Sequence, residues 1–208
     1  MNVKKELLTK FNKSISNFTN LSNYSWFNLG GPAEFFFKPK NKDQLIDFLK
    51  ENLKYKLNVT ILGAGSNVLI RDNGIKGVVI KLGSGFSDIN LIDKETIIAG
   101  AASLDRKVSN FAKDHGIGNF EFLSCIPGSI GGAVVMNSGC YDYDISKVLL
   151  SINVIDINEA KEKEIKSDQI KFSYRGTNLP NGLIITSVKL KGSETPKEII
   201  EKKQNNFI

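Results

Sequence analysis

Two glycine-rich segments and one arginine carry the residue types from which chemistry could be built. Gly63-Ala64-Gly65-Ser66-Asn67 follows a β-branched run. Glycine there lets the backbone take positive φ and approach a ligand closely, and successive free N–H groups in such a turn can cradle a phosphate. Val68 stands where the dinucleotide fingerprint needs its third glycine, and no Gly-Lys-Ser/Thr occurs, so neither that fingerprint nor a Walker loop is present. By itself the segment suits a tight turn as well as an anion site. Ile126-Pro127-Gly128-Ser129-Ile130-Gly131-Gly132-Ala133 is denser. Proline fixes φ, and three glycines bare the backbone as close approach of a flat ring or a pyrophosphate requires. Asn137, Ser138 and Gly139 extend the same small, polar character. The ordinary alternative is a buried corner packed on glycine. Phe172-Ser173-Tyr174-Arg175-Gly176-Thr177 contains one of only three arginines (Arg71, Arg106, Arg175) among 28 basic residues. Arginine keeps its charge and can grip a carboxylate with two parallel hydrogen bonds; a surface ion pair is its commoner employment.

Composition removes several competing classes. The chain has 208 residues, of which 41% are hydrophobic, enough for a core in one domain or two small ones. The net charge of +6 is modest, lysine is scattered among glutamates, and arginine is scarce, so a nucleic-acid surface is not expected. Cys125 and Cys140 cannot form a four-cysteine zinc site, and the lone His115 excludes every two-histidine metal motif, so no metal is expected. Both cysteines read as small apolar core residues, and His115, before Gly116, reads as a helix C-terminal residue facing the dipole. Residues 1–20 carry no apolar signal region, and no run approaches 18 apolar residues. The expectation is a cytoplasmic protein with no membrane span, in a reducing compartment.

These candidates need elements to position them. Leu45, Ile46, Phe48, Leu49 and Leu53 give residues 42–53 one apolar helical face. Strands are expected at 59–62, 68–70 and 78–82, with an Asp72-Asn73-Gly74 turn between the last two. Phe35-Phe36-Phe37 reads as a strand edge in the core. In the second half, 96–99 reads as a strand, Leu104, Val108, Phe111 and Ala112 as a helical stripe stopped at Gly116, and 150–157 and 183–190 as two further strands. The reading is α+β with two subdomains. Thr195-Pro196-Lys197-Glu198 looks like a capping box with proline at the first helical position. The helix it opens reaches Ile208 after one or two turns, which is expected either as a frayed end or as a cut inside a larger protein.

Taken in order, the motifs resemble one family. Asn28-Leu29-Gly30-Gly31-Pro32-Ala33, the 63–67 segment with Leu69 and Asp72, and Gly77 before Val78-Val79-Ile80 begin the match. Gly118 with Glu121, the 126–133 run, Met136-Asn137-Ser138-Gly139 and Phe172-Ser173-Tyr174-Arg175 continue it. Together they resemble the UDP-N-acetylenolpyruvoylglucosamine reductases, flavoenzymes of peptidoglycan precursor synthesis, over about residues 20–205. The resemblance implies an FAD-binding fold of the vanillyl-alcohol-oxidase (p-cresol methylhydroxylase) type, in which two α+β subdomains clasp the flavin and a third domain closes over the substrate. It implies an extension at 1–19, subdomains at 20–82 and 83–192, and at 193–208 the start of a helix leading to a C-terminal substrate domain missing from this sequence.

By the same resemblance, Gly63, Gly65, Ser66 and Asn67 would hold the FAD pyrophosphate. Pro127, Gly128, Ser129, Gly132 and Ala133 would line the flavin, and Arg175 would be the catalytic arginine beside the enolpyruvyl group. NADPH would be the reductant, UDP-N-acetylglucosamine enolpyruvate the substrate and a monomer the working form. Thr177 stands where the family usually has serine, and the stretch 176–182 is too short for the tyrosine-bearing loop of one subtype. The family's proton-donating serine and catalytic glutamate would lie in the absent domain, so a flavin-binding fragment without turnover is the alternative. A covalent-flavin oxidase of the same fold would need a placed His or Cys, and His115 lies outside the glycine motifs.

Overall fold

The computed structural model describes residues 3–206; the expectations that reach residues 1, 2, 207 and 208 lie outside them there. In the first half, α1 (Val3–Lys10) leads into β1 (Ile15–Asn20), followed by β2 (Pro32–Phe37), α2 (Lys42–Tyr55), β3 (Val59–Ile61) and β4 (Ile75–Ile80). The sheet order is β1-β2-β4-β3, with β1 antiparallel to β2 and the other pairs parallel. Phe35 and Phe37 face α1 and α2, where they pack with Phe11, Phe48 and Leu49, while Phe36 turns to the opposite face with Leu21 and Val79. The three phenylalanines are therefore not a strand edge. They form an interior strand buried on both faces, which is why the run is continuously apolar. α2 starts where the Asn41 side chain accepts from the Gln44 amide at 3.0 Å, and ends at Lys56 in the left-handed region.

The second half contains β5 (Ile89–Leu91), β6 (Thr96–Gly100), α3 (Asp105–Asp114), β7 (Ile117–Gly118), α4 (Ile130–Val135), β8 (Gly139–Cys140), β9 (Tyr143–Asp144), β10 (Leu149–Asp156) and β11 (Lys161–Lys166). It closes with β12 (Phe172–Ser173), β13 (Gly176–Thr177), β14 (Leu183–Lys191), β15 (Ser193–Glu194) and α5 (Lys197–Asn206). Five strands form one antiparallel sheet in the order β11-β10-β14-β6-β5. One face buries Ile97, Ile152, Val154 and Val188 under α3 and α4. Ile155 and Ile184 join the core of the first sheet, so the two sheets share apolar packing. The edge strand β11 is lined with lysine and glutamate, which blunts an otherwise open ladder. Among the described residues no helix is long and apolar enough to cross a membrane.

Two expected elements differ. Residues 68–70 form no strand. The Trp26 amide bonds to the Gly65 carbonyl at 3.0 Å, and the Gly31 amide to the Arg71 carbonyl at 3.0 Å, so the chain on either side of the segment is tied to the 21–31 loop. At the last helix, the Pro196 carbonyl accepts from the Ile199 and Ile200 amides, while the Thr195 hydroxyl donates to the Ser193 carbonyl at 3.2 Å. The Thr195 amide donates to the Gly116 carbonyl at 2.8 Å, so it is not free for the Glu198 carboxylate, and among the described residues no hydrogen bond closes a capping box. His115 does sit at the end of α3, its Nδ1 2.8 Å from the Phe111 carbonyl, with Gly116 following at φ +68°.

Candidate functional site

The parallel strands β2, β4 and β3 all end on one side of the first sheet, where ligands of open α/β sheets bind. Lys38 follows β2, Lys81 follows β4, and the Gly63–Gly65 turn follows β3. The Lys81 ammonium donates to the Gly63 carbonyl. Burial, and then the nearby Lys38 charge, lower the Lys81 pKa from its ordinary value, so the charged form gains from any anion placed here. Gly65 takes φ +81°, and a Cβ on it would fall on the Tyr24 carbonyl oxygen, so only glycine fits this turn. Trp26, Phe27 and Leu69 lie on the same stretches of chain with most of their apolar surface exposed.

The second glycine segment comes from the other sheet. Hydrogen bonds from the Ile130 amide to the Ser103 carbonyl (2.9 Å) and from the Gly131 amide to the Ala101 carbonyl (3.0 Å) fasten it beyond the end of β6. A Cβ on Gly131 would stand 2.9 Å from Ala101 Cβ, which makes this glycine a packing requirement. The two segments then meet. The Ser66 hydroxyl donates to the Pro127 carbonyl at 2.6 Å, and a Cβ on Gly63 would lie 2.9 Å from Ser129 Oγ. Gly63, Asn67, Pro127 and Gly132 are exposed, Ser66 and Gly128 half-buried, Gly65 and Ser129 buried. Ala133 points into the core at 2% exposure, so only its backbone could serve a ligand.

Arg175 arrives through α4. β12 and β13 form a small hairpin with Tyr174 and Arg175 at its tip. Its base is held by the Asn137 side chain, which donates to the Ser173 carbonyl at 3.1 Å, and by the Thr177 hydroxyl, which donates to the Val135 carbonyl at 3.2 Å. Arg175 is exposed and adopts φ +57°, a conformation that costs a non-glycine residue on the order of 1–2 kcal/mol. Its guanidinium carbon lies 5.3 Å from the Tyr174 ring centre. Cys125 and Cys140 bracket the second glycine segment with their sulfurs 2.8 Å apart, half-buried, not sunk in the core as expected. Burial, aided by the Cys125 hydrogen bond, pushes the Cys140 thiol up to about 12.

Sequence reasoning missed Lys81, one lysine among many, whose signal was its place just after a strand parallel to the one before Gly63. Two hollows, of about 400 and 380 Å³, lie elsewhere, one beside α1 and α2 and one against β5, β6 and β14. Neither touches the glycine segments, which form an open face suited to a long, flat, phosphorylated ligand.

A family model described as an FAD binding domain matches residues 33–164. Over 200 residues the chain is 46% identical to the UDP-N-acetylenolpyruvoylglucosamine reductase of Pelagibacter ubique, covering 94% of this chain and 66% of that one. Across the first three curated relatives it spans 60–66% of their length. The crystal structure of UDP-N-acetylenolpyruvylglucosamine reductase from Thermus caldophilus superposes with a TM-score of 0.80 at 28% identity, covering 93% of this chain and 66% of that one. The p-cresol methylhydroxylase structure superposes with a TM-score of 0.67 at 13% identity, covering 94% and 44%. The fold is thus α+β, of the p-cresol methylhydroxylase type.

Proposed function

This chain belongs to the FAD-binding-domain family, and from that premise we propose that it is the flavin-holding portion of a UDP-N-acetylenolpyruvoylglucosamine reductase. The observation that carries the reading is the meeting of the two glycine segments through Ser66 and Pro127. It turns two loops from different sheets into one bare backbone face beside Lys81 and Lys38. The residues fit FAD: Gly63, Gly128 and Gly132 leave backbone uncovered, and the paired lysines suit a pyrophosphate. Gly63, Gly65, Ser66 and Asn67 would hold the pyrophosphate, and Pro127, Gly128, Ser129, Gly132 and the Ala133 backbone the ring. Bound there, FAD supplies hydride transfer from NADPH to the enolpyruvyl carbon.

Arg175 faces the substrate carboxylate in this reading and stabilises the negative charge that grows on it. The Asn137 and Thr177 hydrogen bonds fix the Arg175 hairpin, so the charge is in position before substrate arrives. The substrate is UDP-N-acetylglucosamine enolpyruvate and the product UDP-N-acetylmuramate, a peptidoglycan precursor. A nucleotide-sugar substrate and a nicotinamide reductant place the reaction in the cytoplasm, with a monomer sufficing for the flavin site. Subdomain limits at 20–82 and 83–192 keep the five-stranded sheet within the second and β2, β3 and β4 within the first, whose sheet also takes in β1 from Ile15. The acid that completes the reduction comes from the part of the relatives that these 208 residues do not span. The chain is expected to take up FAD on titration, with quenching of flavin fluorescence; no uptake would refute the reading.

A further inference from the structure

Cys125 and Cys140 stand at the two ends of the second glycine segment, and the flavin reading gives them no part. Each is placed by its own piece of backbone. Cys125 ends the short 3-10 turn Glu121–Cys125, and Cys140 lies in β8, paired with Tyr143 of β9 across a turn in which Tyr141 and Asp142 both take positive φ. The two sulfurs lie 2.8 Å apart, and the Phe122 carbonyl oxygen is 3.2 Å from the Cys125 sulfur and 3.4 Å from the Cys140 sulfur. A disulfide bond needs about 2.05 Å, so a shift of under about 1 Å closes it with the surrounding backbone left in place. Both residues are half-buried, with surface that a small reagent can reach. In a reducing compartment, paired thiols serve as transient redox groups more often than as permanent staples. The stretch they bracket holds Pro127, Gly128, Ser129 and Gly132, and also Asn137, whose side chain fixes the Arg175 hairpin.

We propose that Cys125 and Cys140 form a reversible dithiol–disulfide site that takes a low-molecular-weight disulfide as oxidant and, when oxidised, latches the second glycine segment at both ends. The latch itself does not depend on the flavin reading; its effect on FAD rests on that reading. In the forward direction the Cys125 sulfur, its proton released to solvent, attacks one sulfur of the oxidant, and the other sulfur takes up a proton and leaves as a thiol. While Cys125 is free, burial first and the Cys125 hydrogen bond next keep the Cys140 thiol protonated, up to about 12. Once Cys125 carries the mixed disulfide, its hydrogen bond and charge no longer oppose ionisation of Cys140, and the Arg175 charge favours the thiolate. The Cys140 sulfur then attacks Cys125 and displaces the second thiol. The protein gives up two electrons and two protons, and one disulfide becomes two thiols. Excess thiol runs the same steps backward. Closing a loop of about 15 residues restricts the unfolded chain, and it removes freedom from the segment before a ligand arrives, which favours binding.

The test treats the folded 208-residue chain with glutathione disulfide and then with dithiothreitol. It reads free thiols by alkylation and mass, the melting temperature without FAD, and the Kd for FAD by flavin fluorescence. The oxidised chain is expected to show no free thiol and no bound glutathione, and to melt about 5–10 °C higher. It should bind FAD about 5-fold more tightly, and dithiothreitol should reverse every change. Cys125→Ser and Cys140→Ser, each lacking one sulfur, should show neither the rise in melting nor the tighter binding. A glutathione adduct that persists on the unaltered chain, or a disulfide that forms only in urea, overturns the site. A disulfide that leaves the melting temperature unchanged or lowers it overturns the latch. A raised melting temperature with the same Kd in both states overturns the link to the cofactor. No FAD uptake in either state refutes the flavin reading, while the thiol and melting results still decide the latch.

Discussion

At the scale of single residues, Arg175 and Asp105 both stand in states that the fold alone does not reward. Arg175 spends conformational energy on φ +57° while exposed at a hairpin tip, an arrangement that clusters at working sites. In a complete reductase containing this chain, Arg175→Lys is expected to slow substrate reduction about 100-fold, because a point charge cannot match the planar fork on a carboxylate. Flavin reduction by NADPH should be almost unchanged. Stopped-flow measurement of the two half-reactions checks this, and equal slowing of both would make Arg175 structural. Asp105, the first residue of α3, is completely buried, neither of its carboxyl oxygens has a hydrogen-bond partner among the described residues, and burial raises its pKa to about 7. Between about pH 4 and about pH 7 the folded chain keeps a proton that the unfolded chain releases. Stability is therefore fully present below about pH 4 and declines toward about pH 7, by a few kcal/mol at most. Asp105→Asn has no such titration. Denaturation without FAD at several pH values should show the unaltered chain losing stability relative to the variant across that window, and parallel profiles would contradict it.

At the scale of elements, the glycines separate into those the fold requires and those it tolerates losing. Gly65→Ala meets both a positive φ and the Tyr24 carbonyl oxygen, and should cost more than about 1–3 kcal/mol as the turn shifts. Gly132 has ordinary φ, sits within α4, and a Cβ on it would meet only Ser129 Oγ at 3.5 Å. Gly132→Ala should leave the melting temperature unchanged or slightly raised, yet weaken FAD uptake if its exposed face meets the ring. Paired melts and titrations distinguish the two cases; a Gly132→Ala chain that binds FAD normally removes that residue from the site. The longer elements were legible because periodicity marks burial: α2 by its apolar stripe, β10 and β14 by β-branched alternation. Residues 68–70 were not, because three apolar residues carry no period and the hydrogen bonds that claim their surroundings come from residues 26 and 31, distant in sequence.

At the scale of the whole molecule, a shared apolar core joins the two sheets, and the candidate site is assembled only where their loops touch. The chain spans 60–66% of the length of its first curated relatives, so the reading above assigns it the flavin chemistry without the final protonation. The 208-residue chain is expected to consume the enolpyruvyl substrate about 100- to 10,000-fold more slowly than the full-length Pelagibacter ubique relative, the usual contribution of a positioned acid. Anaerobic mixing of reduced, FAD-loaded chain with UDP-N-acetylglucosamine enolpyruvate, followed by flavin reoxidation, measures it. A matching rate would mean that a residue within this sequence supplies the proton.

The sequence by itself determined the fold class, the longer helices and strands, and the candidate residues of both glycine segments and the arginine, because those features are written in local periodicity and residue type. It also carried the family resemblance, since motifs in fixed order need no coordinates. Only the tertiary structure decided that Ser66 reaches Pro127, that Lys81 bonds to the Gly63 carbonyl, that Phe35–Phe37 lies inside the sheet, and that Asp105 is buried without a partner. Each depends on which strand neighbours which, and the parallel and antiparallel pairings that settle it join residues tens of positions apart. A lysine or an aspartate has the same ordinary appearance in sequence whether it faces water or lies against a glycine loop. Its chemistry is fixed by the neighbours that folding brings to it.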